Sequence, residues 1–169
     1  MYNQNIDCWV VGTATEREAT FHRAKAFDQT LNSWKAGEVK TLQSTFNGAT
    51  KFDQNLDKWQ GSAIESLHYA FAEAAVFNQN IDCWLIGTAT DLEATFHRAK
   101  AFNQPLNSWQ TGAVKTLQST FNGASKFDQI LDKWQVSAVE SLHYTFAEDA
   151  VFNQNIDCSL IGSATDLEA

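Results

Sequence analysis

The stretch Val114-Lys115-Thr116-Leu117-Gln118-Ser119-Thr120-Phe121-Asn122-Gly123-Ala124-Ser125-Lys126-Phe127-Asp128-Gln129-Ile130-Leu131-Asp132-Lys133-Trp134 holds the pattern on which the fold turns. Its first half places Val114, Leu117, Phe121 and Ala124 at spacings of 3, 4 and 3, the apolar stripe of an amphipathic helix. The equivalent stripes are Val39, Leu42, Phe46, Ala49 and Ile64, Leu67, Phe71, Ala74. Small polar or Gly residues such as Gly112, Ser137 and Thr90 mark helix starts, and Asp91-Leu92-Glu93 puts acids in a first turn. The other half of a unit, for example Phe102-Asn103-Gln104-Pro105-Leu106-Asn107, alternates apolar and polar residues with period two. That alternation predicts a short strand with Phe102 and Leu106 on one face.

The same pattern recurs along the whole chain. Gln4, Gln29, Gln54, Gln79, Gln104, Gln129 and Gln154 follow one another at a constant interval, and an aromatic residue stands two positions before every one of them. Trp occupies positions 9, 34, 59, 84, 109 and 134 until Ser159 ends the series, and a second Phe series runs from Phe21 to Phe146. Three units make a 75-residue block: residues 3–77 and 78–152 differ at 15 of 75 positions, and 153–169 begin a third copy. One short strand and one helix cannot close a core alone, but stacked copies share one. The expected architecture is therefore a single repeat domain over 1–169. It is a right-handed α/β solenoid of about seven strand–helix units, on the order of 34 Å long at about 4.8 Å per strand. Trp84, Phe96, Phe102, Leu106, Trp109, Phe121, Phe127 and Leu131 should form its core.

Composition narrows the function. The chain is 44% apolar and 19% charged with 8 Gly and 1 Pro, which excludes collagen-like and low-complexity disordered classes. A net charge of −8 disfavours nucleic acid and anionic membrane surfaces. No apolar run reaches the length of a membrane span, and the residues from Met1 to Asn5 resemble no signal region.

The motif Val114-x-x-Leu117-x-x-Thr120-Phe121-x-x-Ala124-x-x-Phe127-Asp128-Gln129-x-Leu131-x-x-Trp134 resembles the repeat of BspA-type leucine-rich-repeat surface proteins, also abundant in mycoplasma lipoproteins. The resemblance covers nearly the whole chain. It implies a leucine-rich-repeat-like stack and protein binding or adhesion at a cell surface or outside the cell. It carries no catalytic residues.

The residues themselves point the same way. Every candidate for chemistry occurs two or three times in equivalent surroundings, whereas a catalytic constellation is normally unique; no enzyme activity and no cofactor are expected. Cys8, Cys83 and Cys158 share one phase with Lys58 and Lys133, so they are expected on the surface, too far apart for intrachain bridges. CxxC and CxxH spacings are absent, and His22/His97 and His68/His143 are each separated by a whole three-unit block, so no metal site is expected. The outward strand positions Asn78, Asn80, Asp82, Asn103, Asn107, Asp128 and Asp132 form an Asx-rich face. Their side chains either satisfy ladder and turn amides or present a recognition surface. Gln104 and its equivalents fall inward by parity, which requires amides stacked along the axis, or else the strand begins later. The expected function is a non-enzymatic scaffold binding a protein or glycan through the sheet face. The alternative is a structural protein assembling through its ends or flanks. Arg17, Asp149 and Ser159 put polar residues at apolar phases near the ends, which predicts softened caps on a monomer, with end-to-end association if they fail.

Overall fold

A computed structural model describes residues 3–9, 11, 14–34, 37–59 and 64–156. The chain winds into coils, one per sequence repeat, laid one on the next with each residue beside its equivalent. The expected strand–helix units do not form. Among the described residues there is no helix and no sheet, and the strand character is confined to isolated parallel bridges, Glu16–Thr41, Thr41–Ser66, Ser66–Asp91, Asp91–Thr116 and Thr116–Ser141. The α/β solenoid is therefore wrong for this chain.

The hydrogen bonds explain why. In a helix every backbone N–H turns back along its own axis. Here alternate amides turn sideways instead: those of Leu117, Ser119, Phe121 and Gly123 donate to the carbonyls of Ser141, His143, Thr145 and Ala147 in the next coil at 2.8–3.0 Å. The amides between them close turns within the coil, Thr120 to Leu117, Asn122 to Ser119 and Ala124 to Phe121. The same offset joins Leu42, Ser44, Phe46 and Gly48 to the coil after theirs, and Leu67, Tyr69, Phe71 and Glu73 likewise. A run of such turns brings every third or fourth side chain to one side, as a helix does. Apolar spacing does not distinguish the two.

Backbone angles mark the difference. Positive φ recurs twice per coil, at Ala19 and Arg23, Ser44 and Gly48, Tyr69 and Glu73, Ala94 and Arg98, Ser119 and Gly123, and Tyr144 and Glu148. A left-handed residue ends a helix. Gly fills the second position in only two of the six coils, Gly48 (φ 71°) and Gly123 (φ 69°), and the other coils accept strained L-residues there.

The extended segment fails to become a strand for a separate reason. The amides of Asp28, Asp53, Asn78, Asn103, Asp128 and Asn153 donate to a side-chain Oδ1 of the preceding coil, 2.8–3.1 Å away, rather than to a backbone carbonyl. Without backbone pairing there is no ladder.

The core is an aromatic column. Phe46, Phe71, Phe96 and Phe121 stack face to face with centroids 5.4–5.8 Å apart. Phe52, Phe77, Phe102 and Phe127 form a parallel row at 6.0–6.1 Å, and within a coil the two rows meet at 4.0–4.2 Å. The indole N–H groups of Trp34, Trp59, Trp84, Trp109 and Trp134 each donate to the buried carbonyl of Ile6, Leu31, Leu56, Ile81 or Leu106 one coil earlier, at 2.9–3.3 Å. Of the expected core, Trp84, Phe96, Phe102, Leu106, Trp109, Phe121 and Phe127 are buried, and Leu131 is half-buried.

Two of the three polar lapses lie within the described residues. Arg17 is no solvent-facing cap: it is 3% exposed, and its guanidinium lies over the indoles of Trp34 and Trp59, 5.3 and 4.7 Å from the ring centroids. Desolvation lowers its pKa to about 10, so it enters the core as a cation. Asp149 is half-buried at a phase that holds buried Ala in four earlier coils, and burial raises its pKa. Ser159 lies outside the described residues.

Two stability measurements check this architecture. Phe121→Ala removes a fully buried ring from the first row, with its contact to Phe127 in the second, and should cost about 3–5 kcal/mol in denaturant unfolding; an unchanged midpoint would place Phe121 elsewhere. Gly48→Ala forces an L-residue into positive φ with its Cβ 3.3 Å from Arg23 Cγ and should cost about 1–2 kcal/mol. Glu73→Gly, at the same phase (φ 56°), should instead gain about 0.5–1 kcal/mol. These signs are the signature of this backbone, because a helix would show the reverse, strengthened by Gly→Ala and weakened by Glu→Gly.

Candidate functional site

The seven Asx positions singled out in the sequence line the extended segment, but no sheet displays them. Asn78, Asn103 and Asp128 belong to the row that carries the coil-to-coil bonds. The Oδ1 of Asn78 accepts the amide of Asn103, and that of Asn103 accepts both the amide of Asp128 and the Nε2 of Gln129. The Oδ1 of Asp128 likewise takes Asn153 N and Gln154 Nε2, and these two donors hold its carboxyl below the usual carboxylate range. Gln29, Gln54 and Gln79 repeat this bond to Asn3, Asp28 and Asp53. The Gln side chains are half-buried in all three cases and bond along the stack, one of the two arrangements their parity allowed.

The remaining four lie further along the coil. Asn80 is exposed, and its Oδ1 accepts the amide of Asp82, two positions on. Asp82 reaches the next coil, taking Ser108 N and Ser108 Oγ on its two oxygens at 2.7 Å. Asn107 donates to Asp132 Oδ1 at 2.8 Å and accepts the amide of Lys133. Each of the seven therefore makes a structural bond, and six of them bond to a neighbouring coil.

A second group went unnoticed in the sequence. His68, Asp91 and Glu93 each offer a ligand atom within 4.8 Å of the others, and all three are half-buried. Glu93 stands one coil after His68, and Asp91 stands two positions before Glu93, beside Ser66 in a parallel bridge. Comparing histidines only with histidines, a whole block apart, hid this cluster; separations near one coil length are the signal that finds it. His68 Nδ1 lies 3.3 Å from Asp91 Oδ2. The alignment falls short of a hydrogen bond, and the contact is one of charge and polarity. Asp91's close polar approach raises the His68 pKa, outweighing burial, with the charges of Asp91 and Glu93 adding to it. Burial pushes Asp91 up, but the imidazole and the Glu93 amide outweigh it and lower its pKa. His97, at another phase, is lowered instead, burial and the charge of Arg98 outweighing the carboxylates of Glu73 and Glu148.

Cys8 and Cys83 are exposed free thiols, and Cys158 lies outside the described residues. Among those residues no helix is long and apolar enough to cross a membrane.

Backbone bonds at a constant offset, aromatic columns and Asx rows define a tandem-repeat stack. The family described as "Mycoplasma protein of unknown function, DUF285" matches it twice, over residues 1–106 and 40–159, and the chain belongs to that family. No curated protein and no solved structure matches the chain. The overlap of the two matches is what a tandem repeat produces.

The His68–Asp91 contact yields a pH signature. Its histidine part is fully present below the ordinary value of 6.5 and is lost as pH rises through the raised folded value. Its aspartate part is present above 3.8 and is lost as pH falls through the lowered one. In metal-free buffer, the stability difference between wild type and His68→Gln should be larger at about pH 5.5 than at about pH 8.5. An equal difference at both would remove the contact from the folded state.

Proposed function

We propose that this chain is a non-enzymatic repeat scaffold that binds a protein or glycan partner through its lateral surface, in the manner of BspA-type surface proteins. One observation carries the reading: the Asx and Gln residues of the extended segment recur coil after coil with the same structural bond, which commits them to holding the stack rather than to chemistry. Asn78, Asn103 and Asp128 are occupied by the stack. Recognition then falls to the positions that vary between coils along its outside, among them Asn80, Leu85, Gln110 and Ile130, all exposed. Such an array offers a partner regularly spaced contacts.

A binding comparison tests this proposal. Wild type and a variant carrying Leu85→Ser, Ile130→Ser and Asn80→Ala should unfold at similar denaturant concentrations. On arrays of extracellular proteins and glycans, the variant should lose at least about tenfold in affinity for whatever the wild type retains, since a few contacts dominate most interfaces. Undiminished binding by the variant, or none by wild type alongside concentration-dependent oligomers in light scattering, favours self-assembly instead.

A further inference from the structure

We propose that His68, Asp91 and Glu93 bind a divalent transition-metal ion of the zinc class between two adjacent coils. The proposal concerns a site separate from the lateral binding surface and stands whether or not that surface has a partner.

Backbone lashing sets the three side chains. The amide of Leu67 donates to the Asp91 carbonyl at 3.0 Å and that of Tyr69 to the Glu93 carbonyl at 2.9 Å. His68 is thus held between two bonds that tie its coil to that of its partners. Asp91 is oriented further, because its Oδ1 accepts the Glu93 amide at 2.8 Å, which leaves Oδ2 facing the imidazole. Outer bonds of this kind aim metal ligands. The Tyr69 ring packs edge-on against the imidazole, centroids 4.6 Å apart.

The distances suit a small ion. Zinc at about 2.0–2.1 Å from tetrahedral ligands sets those ligands about 3.3–3.4 Å apart, and His68 Nδ1 and Asp91 Oδ2 already stand 3.3 Å apart. Glu93 completes the set from within 4.8 Å, a small rotation of a flexible side chain. Nδ1 is covered from water and meets Asp91 Oδ2 without a well-aligned hydrogen bond, and an ion held between them would satisfy both atoms. One imidazole and two carboxylates favour zinc, copper or nickel, whereas calcium requires six or more oxygens. Three ligands leave at least one position for water. The sequence carries the trio again one block further on, as His143, Asp166 and Glu168; Asp166 and Glu168 lie outside the described residues.

Zinc titration of the full chain, metal-stripped and carrying Cys8→Ser, Cys83→Ser and Cys158→Ser so that no thiol competes, tests the site. Competition against a chromophoric chelator reads affinity and stoichiometry, and Co²⁺ in place of Zn²⁺ reads geometry by visible absorption. Adding His68→Gln should weaken one equivalent of zinc at least about tenfold and remove part of the cobalt absorption, with the metal-free chain still folded by circular dichroism. Should that variant not fold, Glu93→Gln, which keeps the shape of the side chain, decides by the same measures. No zinc uptake by the parent, or uptake that neither substitution weakens, overturns the proposal.

Discussion

The registry of backbone amides with carbonyls one coil ahead is the constraint on which the remaining structure depends. Each of the five coils from Arg17 to Gly123 offers four such donors, Leu42, Ser44, Phe46 and Gly48 for example, and the next coil supplies four acceptors at the same places. One inserted residue would shift every donor beyond it. An amide buried without a partner costs about 1–3 kcal/mol, so several misplaced together would exceed much of a domain's stability. This is the physical reason that the Gln series from Gln4 to Gln154 keeps its interval without an insertion.

Registry also decides what the side chains can do. Equivalent residues stand next to one another, so a Phe meets a Phe and a Trp meets a Trp, and flat rings stack into columns. A Thr at the next phase uses the same geometry: the single O–H of Thr95, Thr120 and Thr145 lies within hydrogen-bond distance of two carbonyls, one in its own coil and one in the coil before. Like charges would meet just as readily. The row Asn3, Asp28, Asp53, Asn78, Asn103, Asp128 interrupts its acids with amides, and the Gln donors beside it supply N–H groups to the acceptor oxygens. Lys40 and Glu65 at another phase pair across coils at 3.3 Å; both side chains are exposed, and such a pair adds little. Burying a Phe contributes about 1.5–3 kcal/mol, several times the worth of that pair, so the aromatic columns dominate the stability.

Function is placed on what the stack leaves over. Polar atoms that hold one coil to the next are poor candidates for recognition, because a partner would have to compete with an existing bond. Many side chains that differ between successive coils carry no such duty. His68, Asp91 and Glu93 are of this kind: at the phase of His68 and Glu93 other coils have Glu18, Gln43 and Gln118, and at the phase of Asp91 they have Glu16, Thr41, Ser66 and Thr116. Only where the sequence departs from its own consensus can one place on a repetitive rod differ from the rest.

The period, the block structure and most of the core were legible in the sequence, because identical units must stack and apolar residues at a constant phase must share an interior. Phe121 and Trp109 could be placed inside without coordinates for that reason. Exposure of Cys8 and Cys83 followed from the Lys residues at their phase. Secondary structure was not legible. Val114, Leu117, Phe121 and Ala124 face one way both in a helix and in a chain of turns, and the choice rests on where the amides of Leu117, Ser119, Phe121 and Gly123 find acceptors. Those acceptors, from Ser141 to Ala147, belong to the next coil, so no local pattern contains the answer. The meeting of His68 with Asp91 and Glu93 depended on the same offset, which sets two residues from different coils side by side only once the stack has formed.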